Sequence, residues 1–366
     1  MSIDKRTLQA GLAMLGTIIG AGVFAIPSVF HTYGIPWGSV IFWSIAVLIL
    51  ITHLLLAEVV LMTRSQLGRK RLPGLVTEIL GPIWGKIAFL SHPAQILGAC
   101  LAYVILGGEF LAGAGLGYSQ NLLFWQVIFW IGGAVTVLYG LKMVAKVESF
   151  LTWLLIATLI ICAAIFSSSA NPDLFFEATM SRSFAPLGIL IFSLFGMTVI
   201  PELVQMTGDH RDRSWAAIIA GTLGAAILMW LFGVFAYAAA PAASVDPGQY
   251  AQILPAGFRW LIPVVGFLAV FTSFITLMEA LKHMLIYDAK LKPQAAWSIA
   301  LMSPLVLLLI MHRDFLGTIS LVGGVFSAIN GIFACALGVV ILKRRWPLIP
   351  GGIFLLILLS RILSLI

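Results

Sequence analysis

Near the start of the chain, Gly16-Thr-Ile-Ile-Gly20-Ala-Gly22-Val-Phe-Ala-Ile-Pro27 sets three glycines close together and follows them with a proline. Each glycine weakens a helix interior by roughly 1 kcal/mol relative to alanine, and Pro27 supplies no backbone donor, so an apolar helix with this sequence is built to break. Opening it around Gly20, Ala21 and Gly22 frees backbone N–H groups at the start of the next half-helix, where the positive end of the dipole adds to them. That is chemistry for an anion, while the carbonyls of the unwound turn suit an ammonium. A free amino acid carries both groups. The alternative is that the glycines only let helices approach closely, as small-xxx-small pairs do in membranes.

A shortened echo lies far downstream, where Gly22-Val-Phe-Ala-Ile-Pro27 is answered by Gly196-Met-Thr-Val-Ile-Pro201. Two interrupted membrane helices in corresponding halves point to the binding site of a secondary transporter. Phe24 and Phe195 flank the breaks, and an aromatic ring there could cover a bound side chain and close one path, with simple packing as the alternative for each. Gln95, Gly98, Ala99 and Ala102 share a helical face that leaves room for a bulky group or for close packing. Further on, Ala269, Thr272 and Ser273 put a carbonyl and two hydroxyls on one helical face. Oxygen ligands suit a hard cation, although both hydroxyls can instead bond back to their own helix.

Ionisable residues within apolar segments are functional candidates. His53, Glu58, His92, Glu109, Glu202 and the Glu279, Lys282, His283 group qualify, and Glu202, directly after the second break, is placed to gate or to carry a proton. The chain has no HExxH zinc motif, Walker loop or serine-hydrolase elbow. The rival from another class is a membrane enzyme using His53, His92 and Glu58; a passive channel is disfavoured because no pore ring repeats.

The elements that position these residues follow from composition. With 61% hydrophobic and 10% charged residues and a mean hydropathy of +1.08, a soluble domain is excluded. The expected fold class is an all-α integral membrane protein. Eleven apolar runs reach the roughly 18 residues needed to cross about 30 Å of hydrocarbon. These spans 1 to 11 cover 7–33, 37–62, 84–117, 122–141, 147–166, 184–208, 214–240, 259–287, 294–311, 315–342 and 347–365. With no linker between them, residues 1–366 form one transmembrane domain, with a five-plus-five inverted repeat over 7–166 and 184–342 and an extra helix at 347–365. The first run is too long for a cleavable signal peptide. Cys100, Cys162 and Cys335 lie inside spans, without metal-like spacing, as inert apolar side chains.

The net charge of +7 reflects orientation rather than an anionic partner. With the N-terminus in the cytoplasm, 17 of 21 Lys and Arg residues fall on that side, leaving Arg182, Arg259, Arg313 and Arg361 outside. The expected location is the cell (inner) membrane, multi-pass, with Ile366 outside. Nucleic acid is not an expected partner.

The glycine-broken GTIIGAGVFAIP, the segment Phe192-Ser-Leu-Phe-Gly196-Met-Thr-Val-Ile-Pro201-Glu, the charged turn Gly208-Asp-His-Arg-Asp-Arg213 and eleven spans together resemble the hydroxy/aromatic amino acid permeases. That group is similar to the amino acid/auxin permeases within the amino acid/polyamine/organocation superfamily. The resemblance implies carboxylate donors at Ala21 and Gly22, and ammonium acceptors at Ile18, Phe192 and Ser193. It also implies that carbonyls of Gly16 and Ile19 complete a sodium site with Ala269, Thr272 and Ser273. Proton-coupled relatives can carry the same Thr-Ser pair, and some place a lysine in span 5, which is uncharged here from Ser149 to Phe166. The function expected is a cation-coupled symporter for neutral, large or aromatic amino acids, working by alternating access. Sodium is the favoured ion, a proton the alternative, and no other cofactor is expected.

Overall fold

In the computed structural model, the residues described are 4–68, 70–113, 121–139, 141–179, 181, 183–245, 249–311 and 314–364, with side chains described outside 137–151, 244–245 and 253. Arg69, Arg182, Arg313, Ile366 and the side chains of Lys142 and Lys146 therefore lie outside the described residues. The fold is helical. Among the described residues no strand forms, and a single antiparallel bridge joins Gly34 to Ala178.

Among the described residues, seven helical runs are long and apolar enough to cross a membrane, and three shorter apolar helices accompany them. The first run, Ala21–Leu67, has 47 residues and at 1.5 Å per residue would be about 70 Å long, more than twice the hydrocarbon thickness. It folds at Gly34, where φ 70° and ψ 165° leave the helical region. Spans 1 and 2 therefore meet at one glycine rather than through the separate connection expected over 34–36. Counted so, the crossings are the eleven expected. A further short helix, Leu72–Leu80, follows span 2.

Span 1 is broken as expected. Its inner half, Lys5–Ile18, ends at Ile19 and Gly20, a 3₁₀ turn covers Ala21–Ala25, and a helix resumes at Ile26 with Pro27 in its first turn. Span 6 repeats the device: helix Ala185–Leu194, non-helical Phe195 and Gly196, a 3₁₀ turn Met197–Val199, then helix Ile200–Met206 with Pro201 in its first turn. In both, glycine loosens the ladder, and proline sits where its missing N–H costs nothing. Four crossings lie between the two spans, so they run in opposite directions.

Span 7, Arg211–Ala239, packs along spans 1 and 2, while span 3, Pro82–Gly113, packs along span 8, Leu261–Tyr287. Span 10 begins as Phe315–Leu321 and passes through a π-helical turn, Val322–Ser327, which lies against span 6. There the backbones touch, since a Cβ on Gly188 would stand 2.1 Å from the Ser320 carbonyl oxygen.

Candidate functional site

The two breaks face each other. Ser193 in span 6 donates its hydroxyl hydrogen to the Gly22 carbonyl at 3.2 Å, and a Cβ on Gly22 would lie 2.6 Å from Ser193 Cα. Close packing, the alternative reading of the glycines, is thus real at Gly22. It coexists with the anion-site geometry, because the first N–H groups of the Ala21–Ala25 turn have no carbonyl behind them within that turn.

A small cavity of about 20 Å³ lies between the breaks, lined by residues including Ile18, Gly22, Gln95, Ala99, Tyr103, Phe192, Ser193 and Phe195. Every lining residue is uncharged. Asn330 Nδ2 donates to the Gln95 side-chain oxygen at 2.7 Å, and Ser91 donates to Asn330 Oδ1 at 2.9 Å. The amide nitrogen of Gln95 is therefore the polar group it has left for the cavity.

Other expected site residues fall elsewhere. Gly98 lies on the other face of span 3, where a Cβ would meet Val322 at 2.3 Å, and it lines an apolar groove between spans 3, 9 and 10. This places Gly98 in helix packing rather than at the cavity: one residue from Ala99 along a helix is about 100° around it. Phe24 stacks edge-on against Phe110 and Phe232, centroids 4.9 and 5.9 Å apart, in an aromatic cluster continued by Phe166 and Tyr250. It does not line the cavity. Gly20 is enclosed by the hydroxyls of Tyr103 and Ser273, 2.7 and 3.1 Å from where its Cβ would be. Gly196 packs against Ile18 and Met14, and Ala21 and Ile19 are fully buried.

A second cavity, about 10 Å³, opens beside the first and is lined by Gly16, Thr17, Thr152, Leu155, Leu268, Ala269, Thr272, Ser273 and Thr276. It has room for a single water-sized occupant. Thr272 bonds back to the carbonyls of Leu268 and Ala269 at 3.0 and 3.1 Å, as the helix-internal alternative anticipated. Ser273 differs: its hydroxyl oxygen is buried and has no hydrogen-bond partner. Four of the five residues expected around a cation line this cavity, and Ile19 does not.

Charged groups gather at one end. Arg71 pairs with Glu202, Arg211 with Glu58, Lys282 with Glu279, and Arg64 with Asp209 at 3.5 Å. A vestibule of about 170 Å³ there is lined by Arg64, Arg71, Pro201, Glu202, Gln205, His283 and Tyr287. Glu202 thus sits at the mouth, its side chain 39% exposed. Arg71 also approaches His283 Nδ1 at 3.4 Å and donates its backbone N–H to Asp288 Oδ1 at 3.2 Å. Burial pushes the Asp288 carboxyl up to about 6, against the backbone hydrogen bond and charge of Arg71 that pull it down.

The remaining ionisable candidates belong to separate networks. His53 bonds to Thr222 and Gly196, Glu58 to Arg211, His92 is buried in span 3, and Glu109 is half-buried there. Among the described residues no three His, Cys, Asp or Glu side chains gather to hold a metal ion.

A model of the tryptophan/tyrosine permease family matches residues 4–365. The chain belongs to that family. The permease is 23% identical over 242 residues to the low affinity tryptophan permease of Escherichia coli O157:H7, an alignment covering 60% of this chain and 56% of that relative. The chain thus spans little more than half the length of that curated relative. Its fold is that of MhsT, solved in complex with L-phenylalanine: the TM-score is 0.71 at 16% identity, over 96% of this chain and 98% of the other. Permease family and transporter fold together place the chain among transporters rather than enzymes.

Several residues of the permease's two cavities were not singled out from sequence. Tyr103 continues the face of Gln95 and Ala99 by one further turn, and Thr276 extends that of Thr272 by four residues, so both were within reach of the same helical period. Thr17 and Thr152 carried no such signal. Their place beside Gly16, where a Cβ would meet Thr152 Oγ1 at 2.7 Å, depends on the packing of span 5 against span 1.

Proposed function

We propose that the permease imports neutral, large or aromatic amino acids by symport with sodium. The observation that carries this is the uncharged cavity between the two breaks, with free N–H groups of the Ala21–Ala25 turn for a carboxylate and carbonyls near Ile18, Phe192 and Ser193 for an ammonium. With no charged lining residue, a charged substrate side chain would stay unpaired at high cost. Tyr103, Phe192 and Phe195 offer aromatic surface instead. At about 20 Å³ the cavity is too small for an indole or phenyl group, so binding one requires the lining side chains to move apart. The names of the two relatives, a tryptophan permease and a transporter holding L-phenylalanine, agree with this substrate class.

The oxygen-lined second cavity supports sodium. Ser273 has an unpartnered hydroxyl oxygen, Thr152 and Thr17 add two more oxygens, and span 5, uncharged from Ser149 to Phe166, offers no fixed ammonium in place of a bound cation. A proton carried by Glu202 is the rival, but Glu202 sits in the vestibule paired with Arg71 and lines neither of the two cavities. Transport then proceeds by rocking spans 1, 2, 6 and 7 against the rest. The basic end faces the cytoplasm of the cell membrane.

Ligands that bind only the folded protein raise its apparent stability. A thermal-shift screen of the twenty amino acids is expected to single out tryptophan, tyrosine or phenylalanine, with a larger shift in sodium than in choline. Shifts confined to charged amino acids would refute the substrate assignment.

A further inference from the structure

His53 in span 2 lines neither cavity, yet its ring bridges the break in span 6 to span 7. It is fully buried. The Gly196 N–H donates to His53 Nε2 at 3.0 Å, and Nδ1 lies 3.1 Å from Thr222 Oγ1. A backbone amide can only donate, so Nε2 must offer a lone pair; the single proton of the neutral ring is then on Nδ1, directed at the Thr222 oxygen. The amide it receives is one the break has orphaned: the carbonyl that would serve it in a continuous helix, that of Phe192, already accepts from Phe195 at 3.3 Å. An unpaired buried N–H is costly, so a break at this point needs an acceptor from outside the helix. The Phe195 ring stands beside the imidazole, centroids 6.5 Å apart, and Phe195 itself lines the substrate cavity.

We infer that His53 is a positioning residue for the substrate cavity. As the neutral Nδ1–H tautomer, set by the Gly196 amide and held by the Thr222 oxygen, it accepts from that amide and so fixes the unwound turn that carries Phe192, Ser193 and Phe195. The contact also ties the span 6 break to spans 2 and 7, three of the four spans proposed to rock as a unit. The consequence for transport rests on the proposed function; the hydrogen bond itself does not, and the two are read separately.

The test compares wild type with His53→Leu, His53→Gln and Thr222→Val in lipid nanodiscs. Amide exchange is followed in the peptide covering residues 194–198 without substrate, and tryptophan binding is titrated in parallel. His53→Leu removes the acceptor, so Gly196 exchange and the tryptophan Kd are each expected to rise about tenfold or more, as for a stranded buried donor. His53→Gln restores an acceptor and is expected to stay within about threefold of wild type on both readouts. Thr222→Val takes away the partner of Nδ1–H, loosening the ring, and falls between the two. Unchanged Gly196 exchange in His53→Leu would overturn the inference, as would a folded His53→Gln that exchanges as fast as the leucine variant. Should His53→Leu not fold, the glutamine and valine variants decide by the same exchange readout. Failure of wild type to bind any aromatic amino acid would count against the proposed function, with the exchange result still deciding the role of His53.

Discussion

Gly22 shows how one residue serves two purposes at the centre of this fold. In the proposed function it opens the start of a half-helix to an anion, and in the fold it lets span 1 lie directly on Ser193, 2.6 Å from where a Cβ would be. Both demands exclude a side chain, and the sterically stricter one is packing. Even Gly22→Ala must push the two broken helices apart, at about 1–3 kcal/mol for overpacking. Amino acid uptake per unit of inserted protein is expected to be lost, with a lowered Tm. A Gly22→Ala protein with wild-type uptake would show that the breaks need not touch. The glycine triplet was legible in the sequence because its effect is local. That Gly98 faces Val322 and Phe24 packs with Phe110 and Phe232 was not, because neighbours on another span decide which face of a helix points inward.

At the scale of elements, the breaks in spans 1 and 6 were readable from glycine and proline punctuation, and the eleven crossings from hydropathy. The ion-paired end was readable only as a list of charges. Which basic residue meets which acid depends on how the short helix Leu72–Leu80 docks, and Asp288 takes part in that docking through the Arg71 amide. Its carboxyl is raised from 3.8 to about 6, chiefly by burial. Between those values the folded protein keeps a proton that the unfolded chain has released, so stability falls as pH rises through this window and the loss is complete above about pH 6. Asp288→Asn keeps an oxygen for the Arg71 N–H and has no proton to lose. The Tm of Asp288→Asn relative to wild type is therefore expected to climb from pH 4 to pH 7, by an equivalent of up to about 3 kcal/mol. A difference that stays level or shrinks over that range would mean the carboxyl is not held protonated by burial.

For the whole molecule, most basic residues were expected at one end, and the described ion pairs do converge there: Asp4 with Arg213, Arg64 with Asp209, Arg71 with Glu202 and Arg211 with Glu58. Such an end is expected to face the cytoplasm. A cysteine introduced beside Arg344 should then escape an impermeant thiol reagent in intact cells, whereas one appended after Ile366 should react; equal labelling of the two would contradict this orientation. The helical membrane fold could be read from sequence to a large degree, as could the two breaks between which the first cavity lies. The second cavity could be read only in part, since three of its threonines, at 17, 152 and 276, are assembled from three different spans.

The central claim is that an amino acid binds between the breaks and moves with sodium held beside it. It is tested most directly by uptake of labelled tryptophan into liposomes containing the purified permease, driven in turn by a sodium gradient and by a proton gradient, for wild type, Thr272→Ala and Glu202→Gln. The account expects the sodium gradient to drive accumulation of unmodified tryptophan, Thr272→Ala to weaken the sodium dependence severalfold at normal expression, and Glu202→Gln to leave the choice of ion unchanged. Uptake that ignores sodium, follows the proton gradient and collapses in Glu202→Gln would contradict it.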